Sequence, residues 1–174
     1  MVNEDIKNFH YQAFFSLPNT NIDEYLQKIR LRNHKHVNLQ LVDPSFIVSR
    51  KHIEIAIYHT QKNFKQGNNI AKDKSTEFLL RISGKKQISS ALELFGIKEN
   101  SKIVLLIAFG GSSSQNIEAV NSCINEINIP DDKLVEIEFP LLSKLELSKH
   151  YQCTMDIDDL EKCVFERIAM LAVL

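Results

Sequence analysis

Residues 49–96 contain three successive stretches of helical periodicity, and no other segment constrains the fold as strongly. Mostly apolar positions recur three, four, seven and eleven residues after Ile53, which is the spacing of one helix face. The three stripes are Ile53, Ala56, Ile57, Thr60 and Phe64; then Phe78, Leu79 and Ile82; then Ile88, Ala91, Leu92 and Phe95. The segment therefore predicts three helices that follow one another, joined by polar connections.

Capping residues mark the ends of these helices. Ser49 and Ser75 stand where a hydroxyl caps the N-terminus of the first and second helix. Gly96 follows the third stripe, where a glycine in the left-handed conformation closes many helices.

The flanking sequence predicts strands and further helices. Residues 102–109 form a nearly continuous apolar run, which is typical of a central strand buried on both faces. Residues 135–139 alternate apolar and acidic side chains, as a half-exposed edge strand does. We also predict strands at 10–17 and 37–42, and helices at 22–31 (capped by Asn21), around 117–127, around 142–151, and after a cap at Asp156 or Asp158.

These elements mix without strict alternation of strand and helix. The order favours the α+β class, with a mixed or antiparallel sheet packed with several α-helices. We predict one domain over residues 1–174, in which residues 1–9 are a loose N-terminal extension.

The amino-acid composition limits which kinds of binding partner the chain can have. Lys plus Arg total 21 against 22 Asp plus Glu, so a generic polyanion binder is excluded and any nucleic-acid contact needs a local basic patch. No apolar run approaches the roughly 18 residues of a membrane helix, and the N-terminus is not that of a signal peptide. We expect no membrane partner and a location in the cytoplasm and nucleus.

The three cysteines, Cys123, Cys153 and Cys163, share no CxxC spacing and are odd in number. This favours a reduced set of buried structural thiols.

Residues 110–114, Gly-Gly-Ser-Ser-Ser, lie between a predicted strand and a predicted helix, which is the setting of a phosphate-binding loop. The GxxxxGK[ST] pattern is absent, so an ordinary strand-to-helix turn is favoured. The alternative left open is a stand-alone small-ligand or nucleotide-binding enzyme that uses this loop.

Metal and catalytic signatures are weak. His52 and His59 lie seven residues apart on the long helix but have no third ligand at a telling spacing. Asp156, Asp158 and Asp159 suit the start of a helix. We predict no metal site, no cofactor and no catalytic residue.

Basic residues at the helix ends of the central segment are the better lead: Lys51, His52, Lys72, Lys74, Arg81, Lys85 and Lys86. Cations at helix starts oppose the helix dipole, and contact with an anion would offset that cost. Because such connections tend to lie near each other, these residues are candidates for one patch, although spacing alone favours simple solubility. A second basic run, 30–36, suits the C-terminus of its helix and needs no ligand.

Three runs in this chain resemble one known family: NLQLVDPSFIVSRKHIEIAIYHTQ, STEFLLRISGKKQISSALELFGIKENSKIVLLIAF and the ending ERIAMLAVL. The most specific parts are Ser75-Thr76-Glu77 and the QIxxAxxxFGI motif at 87–97. They resemble the PRPK-binding small subunit of the KEOPS (EKC) complex. The segment 71–73 is less basic than its counterpart in the family.

The resemblance implies a non-enzymatic subunit that docks on the N-lobe of an atypical PRPK-type kinase and supports its ATPase activity. The kinase in turn bridges to the threonylcarbamoyl transferase subunit, and the assembly makes threonylcarbamoyladenosine in tRNA. Archaeal members also hold the tRNA 3′ end, so tRNA is an implied partner. A tRNA-binding module that acts without a kinase is a third hypothesis.

The resemblance also suggests site residues. The implied tRNA contacts are Lys51, His52, Lys74, Arg81, Lys85 and Lys86. The implied kinase interface is apolar and helical, and its candidates are Leu142, Leu145, Tyr151, Val164, Ile168, Met170 and Leu171. Because these helices are amphipathic, we expect only two or three of the apolar candidates to face a partner.

Overall fold

The computed structural model describes residues 8–16, 22–32, 36–153 and 159–171. Contacts within the chain divide it into two compact units. The sheet unit comprises residues 1–44 and 96–137, and the helical unit comprises residues 45–95 and 138–174. The α+β class with an antiparallel sheet is confirmed, whereas the organisation as one domain stays a prediction.

The elements follow in the order β1 (Phe9–Phe15), α1 (Ile22–Arg32), β2 (Asn38–Val42), α2 (Arg50–Gln66), α3 (Lys74–Ser83), α4 (Ile88–Phe95), β3 (Ile103–Phe109), α5 (Ser113–Glu126), β4 (Leu134–Val135), α6 (Lys144–Tyr151) and α7 (Leu160–Met170). Short 3₁₀ turns occupy Pro44–Phe46 and Asp131–Lys133. Phe9 belongs to β1, so the loose extension does not reach as far as predicted. The predicted caps Asn21, Asp156 and Asp158 lie outside the described residues.

The sheet unit is a four-stranded antiparallel sheet in the order β2-β3-β1-β4. β3 is central, as its apolar run predicts, and pairs along its whole length with β1. Six of its seven residues are buried, since strands cover both edges and α5 packs on it. The core of this unit includes Phe14, Leu41, Leu106, Val120 and the thiol of Cys123.

The edge strand β4 is much shorter than the sequence predicts. Only Leu134 and Val135 pair with β1. Burial continues to alternate through residues 136–140 after the ladder has ended. The prediction of a strand over 135–139 was wrong because period-two alternation reports an extended backbone and not the hydrogen-bonded pairing that makes a strand.

The helical unit contains α2, α3, α4, α6 and α7. Ser49 caps α2 as predicted, because its hydroxyl accepts the N–H of His52 at 3.3 Å. Two glycines in the left-handed conformation, Gly67 (φ 72°) and Gly84 (φ 64°), close α2 and α3. These are the roles that the sequence assigned only to Gly96.

Two predicted caps were wrong. The N-cap of α3 is Asp73, whose carboxylate accepts the Thr76 N–H at 2.9 Å and the Thr76 hydroxyl at 2.8 Å. Ser75 is buried inside the first turn instead, because a carboxylate two residues earlier already satisfies the end of the helix. Helix α4 ends at Phe95, but Gly96 is not in the left-handed region.

The cysteine prediction is corrected in part. Cys123 is buried and lies outside the disulfide, as expected. Cys153 and Cys163 instead form a disulfide, with their Cα atoms 6.2 Å apart and ten residues of separation. Their spacing carries no such signal, because it is the packing of α6 against α7 that brings the two residues together.

Candidate functional site

The predicted site residues all lie in the helical unit, but they divide into buried and exposed sets. Arg81 and His52 are fully buried. Lys51, Lys85 and Lys86 are exposed and Lys74 is half-buried. Of the six predicted tRNA contacts, these four lysines are the ones placed where an RNA phosphate can reach them.

Arg81 is committed to an ion pair inside the helical unit. Its Nε donates to the Glu77 carboxylate at 2.8 Å, and its Nη2 donates to the same oxygen. The other carboxylate oxygen accepts the backbone N–H groups of Ile70 and Ala71, each at 2.8 Å. Arg81 and Glu77 therefore tie α3 to the connection that precedes it. The predicted RNA contact of Arg81 is corrected on this ground, since the guanidinium has no path to solvent.

His52 is likewise a structural residue. The Val48 N–H donates to its Nδ1 at 3.3 Å, and its Nε2 donates to the Ile82 carbonyl at 2.8 Å. Phe95 and Tyr151 pack edge-on against the ring. Burial lowers the pKa of His52 from 6.5 to about 4, so the ring is neutral at physiological pH. A neutral and enclosed imidazole offers nothing to a phosphate, so this predicted tRNA contact is also corrected.

These four lysines do not form the single patch that the sequence suggested. Lys74 begins α3 and lies 6.0 Å from the ring of Phe64, near the end of α2. Lys85 and Lys86 follow the other end of α3, about 15 Å away at 1.5 Å per residue. The bond from His52 to Ile82 places this second end beside the start of α2. The lysines therefore fall into two groups, with Lys74 at one end of α3 and Lys51, Lys85 and Lys86 at the other.

Lys85 lies within electrostatic range of an aromatic pair. The imidazole of His150 stacks on Phe46 with ring centroids 4.0 Å apart. Burial and the positive charge of Lys85 lower the pKa of His150. A lysine next to half-buried stacked rings is the arrangement that single-stranded nucleic acids use, because the cation meets phosphate and a ring meets a base.

The apolar candidates also divide. Tyr151, Val164 and Ile168 belong to the core of the helical unit, together with Leu147 and Leu160. Tyr151 is fixed further by its hydroxyl, which donates to the Phe46 carbonyl at 2.8 Å. These three residues cannot meet a partner without unfolding the unit, so their assignment to an interface is corrected.

Leu145 and Met170 are the most exposed of the apolar candidates, at 56% and 55%. Leu142 and Leu171 are half-buried. Which two or three of the apolar candidates face a partner stays a prediction.

A groove between α2 and α7 was missed by the sequence analysis. It is an open groove with a volume of about 630 Å³. Its lining residues are Lys51, Ile55, Tyr58, His59, Glu161, Lys162, Phe165, Glu166 and Ala169. Lys51 contributes a cation 5.9 Å from the ring of Phe165. The sequence did hold one sign of this groove: Ile55 and Tyr58 are large side chains that fall just outside the buried stripe of α2.

A second cleft runs along the other side of α7. Its lining residues are Gly84, Cys163, Glu166, Arg167, Met170 and Leu171. Glu166 lines both the groove and this cleft, so α7 lies between the two. We call Phe165, Glu166, Ala169 and Met170 the α7 ridge. It presents apolar side chains that no described residue covers fully.

The loop at residues 110–114 has little capacity for a phosphate. The Gly111 N–H donates to the buried Asn116 side chain at 3.2 Å, and the Ser112 N–H donates to Gln115 at 2.9 Å. Ser112 and Gln115 form a capping box, and α5 begins at Ser113, inside the predicted loop. Two of the backbone donors that a phosphate would need, the N–H groups of Gly111 and Ser112, are therefore already used at the start of α5.

The described residues contain neither a metal-binding cluster nor a membrane-spanning helix. No three His, Cys, Asp or Glu side chains within the described ranges lie in an arrangement that would hold a metal ion. Among these residues, no helix combines the length and the apolar character needed to cross a bilayer.

Comparison with known proteins gives two matches. The family model "Kinase binding protein CGI-121" matches residues 14–172. The chain is also similar to the EKC/KEOPS complex subunit CGI121 of Coccidioides immitis (strain RS), with 24% identity over 97 residues. That match covers 56% of this chain and 47% of the fungal protein, so the chain aligns with about half the length of this curated relative.

Proposed function

The chain belongs to the kinase binding protein CGI-121 family, and from this premise we propose that it is a non-catalytic KEOPS (EKC) subunit that binds and activates an atypical PRPK-type kinase. Through that kinase it meets the threonylcarbamoyl transferase subunit and supports threonylcarbamoyladenosine modification of tRNA. The cytoplasm and nucleus are the compartments that suit this role. The family match over residues 14–172 is the observation that carries the proposal.

The kinase-docking surface that we propose is the α7 ridge with the groove beside α2. Phe165 and Ala169 offer apolar surface there, and Lys51 and Glu161 supply charge at the groove. Protein interfaces combine an apolar centre with a polar rim in this way. Leu145 on α6 is a further candidate contact, because more than half of its side chain is exposed.

An exposed apolar residue on the ridge provides the test. In Met170→Asp, a charge replaces a side chain that is 55% exposed, so the fold tolerates the change while an apolar interface does not. We expect affinity for the purified kinase to fall about 30-fold or more, as for an interface hot spot. The matched control is Leu92→Asp on α4, which is 46% exposed and outside the proposed surface. If both variants and the parent bound the kinase with equal affinity, the proposed docking surface would be wrong. If the parent did not bind the kinase at all, the proposed function would be wrong.

The proposed tRNA contact uses Lys85 and Lys86. Support comes from their exposure and from the charge of Lys85, which acts on His150 in its stacked pair with Phe46. Reversing both charges in Lys85→Glu/Lys86→Glu should weaken tRNA binding and reduce its salt dependence by one to two ion equivalents, about 0.9 per lost phosphate contact. Lys65→Glu/Lys102→Glu has the same charge change elsewhere and should retain binding. An equal loss of tRNA affinity in both variants would contradict a specific contact at Lys85 and Lys86, because it would mean that only the overall charge of the protein matters.

A stand-alone nucleotide-binding enzyme is the second candidate, and no observation favours it. The N–H groups of Gly111 and Ser112 are already bonded to the side chains of Asn116 and Gln115. A thermal-shift measurement with ATP, GTP and AMP should therefore show no stabilisation. A shift of several degrees at millimolar nucleotide would reverse this judgement.

A further inference from the structure

The disulfide between α6 and α7 is a feature that the proposed function does not use. Cys153 directly follows the C-cap of α6, and its N–H donates to the Ser148 carbonyl at 2.9 Å. Cys163 lies in the first half of α7. The bond therefore joins the end of one helix to the body of the next.

A reagent in solvent can reach this bond. Cys153 and Cys163 are both half-buried, whereas the third cysteine, Cys123, is only 1% exposed. Cys163 also lines the open cleft beside α7, together with Arg167 and Met170. Accessible disulfides of this kind exchange with thiols, whereas enclosed ones do not.

The helical unit does not depend on the bond to bring α6 and α7 together. Leu147 and Tyr151 of α6 and Leu160, Val164 and Ile168 of α7 form one buried cluster. Breaking the bond removes a cross-link and leaves this cluster in place. The expected consequence is a looser α7 in a folded unit.

We propose that Cys153 and Cys163 form a reversible thiol–disulfide switch that controls kinase binding through the α7 ridge, with the disulfide form binding more tightly. This inference rests on the proposed function. Met170 and Phe165 lie on the helix that the bond anchors, seven and two residues after Cys163. A docking helix that is held in place loses less conformational entropy on binding, so the cross-linked form has the higher affinity.

The reaction is thiol–disulfide exchange with a dithiol reductant. A thiolate of the reductant attacks Sγ of Cys163, the S–S bond breaks, and Cys153 leaves as a thiolate that takes up a proton. The second thiol of the reductant then displaces Cys163, which also leaves as a thiol. Two electrons pass from the dithiol, which becomes a cyclic disulfide, to the protein pair, and an oxidised dithiol drives the reverse reaction.

The first measurement counts thiols. Protein treated with oxidised glutathione, then denatured and alkylated, should gain one alkyl group by mass, at Cys123. After dithiothreitol it should gain three. Three groups under both conditions would show that the pair does not form, and the proposal would fail.

The second measurement is kinase affinity by isothermal titration calorimetry. Reduction with dithiothreitol should weaken binding of the purified kinase about five-fold or more, which is the lower range of coupling between sites. Cys153→Ser/Cys163→Ser should bind like the reduced parent and ignore dithiothreitol, and Cys123→Ala should respond as the parent does. Circular dichroism should show equal helix content in both redox forms. Equal affinity of the two forms would overturn the switch and leave the function standing, whereas absence of binding in every form would overturn the function itself.

Discussion

Arg81 pairs with Glu77 one turn earlier on α3, and neither side chain is exposed to solvent. The same carboxylate accepts the N–H groups of Ile70 and Ala71. Arg81, which its charge alone would assign to an RNA-binding surface, is therefore a buried residue that stabilises the helical unit. A buried pair of this kind is costly to break because the remaining charge has no partner.

Removal of either member of this pair should destabilise the protein. We expect Glu77→Ala and Arg81→Ala each to lower the free energy of unfolding by about 3–5 kcal/mol in urea denaturation. Lys85→Ala, four residues further along and exposed, should change it by less than about 0.5 kcal/mol. A loss below about 1 kcal/mol in Arg81→Ala would mean that the guanidinium is hydrated and available for RNA.

His52 should make the fold sensitive to acid. Its pKa is about 4 in the folded chain against 6.5 ordinarily, so the unfolded chain binds the proton more tightly. Its contribution to stability is complete above pH 6.5 and decreases as the pH falls from 6.5 to 4, by about 3 kcal/mol in total.

Two measurements check this prediction. In an NMR titration, the ring resonance that disappears in His52→Gln should have its midpoint near pH 4. The urea stability of His52→Gln should depend less on pH between 6.5 and 4 than that of the parent. A His52 midpoint near 6.5 would contradict the burial and the hydrogen bonds to Val48 and Ile82 described above.

Gly110 should be required for packing and not for a ligand. It has φ +96°, and an added Cβ would lie 2.7 Å from Asn38 Nδ2 and 3.0 Å from the His36 carbonyl oxygen. Gly67 also has a positive φ, of 72°, but its added Cβ meets nothing within 4 Å. This second glycine is a matched control for the backbone conformation alone.

The two alanine variants should therefore differ. Gly67→Ala should cost about 1 kcal/mol for the left-handed conformation. Gly110→Ala should cost at least about 1 kcal/mol more because of overpacking. Urea denaturation measures both. Equal costs would show that the loop has room at Gly110 and would restore it as a candidate ligand site.

Periodicity predicted most elements because it reports burial directly. The continuous apolar run became the central strand β3, and the stripe that begins at Ile53 became the buried face of α2. The same logic failed at β4, where alternating burial persists without strand pairing. Hydrophobic patterns specify which side chains face inward and do not specify which backbone groups pair.

Arg81 illustrates why charged residues are harder to place from sequence. Charged side chains are seldom buried, so the expectation of a surface cation was reasonable. The contrary signal was its position between Leu80 and Ile82 with Glu77 four residues earlier. A cation next to the apolar stripe, with an acid one turn away, is a candidate for a buried pair.

The groove and the disulfide could not be predicted, since each depends on how two helices pack against one another. Ile55 and Phe165 are 110 residues apart and meet only because α2 and α7 pack together. Cys153 and Cys163 are closer in sequence, but their spacing is compatible with many arrangements. Such features become visible only after the packing of the helices is known.

The central claim is that a kinase is bound through the α7 ridge and the adjoining face of α2. Hydrogen–deuterium exchange of the chain, alone and with equimolar purified PRPK-type kinase, tests this most directly. We predict increased protection at residues 55–59 and 165–170, with unchanged exchange in strands β2 and β3 of the sheet unit. Protection confined to the sheet unit, or no change anywhere at saturating kinase, would contradict the account.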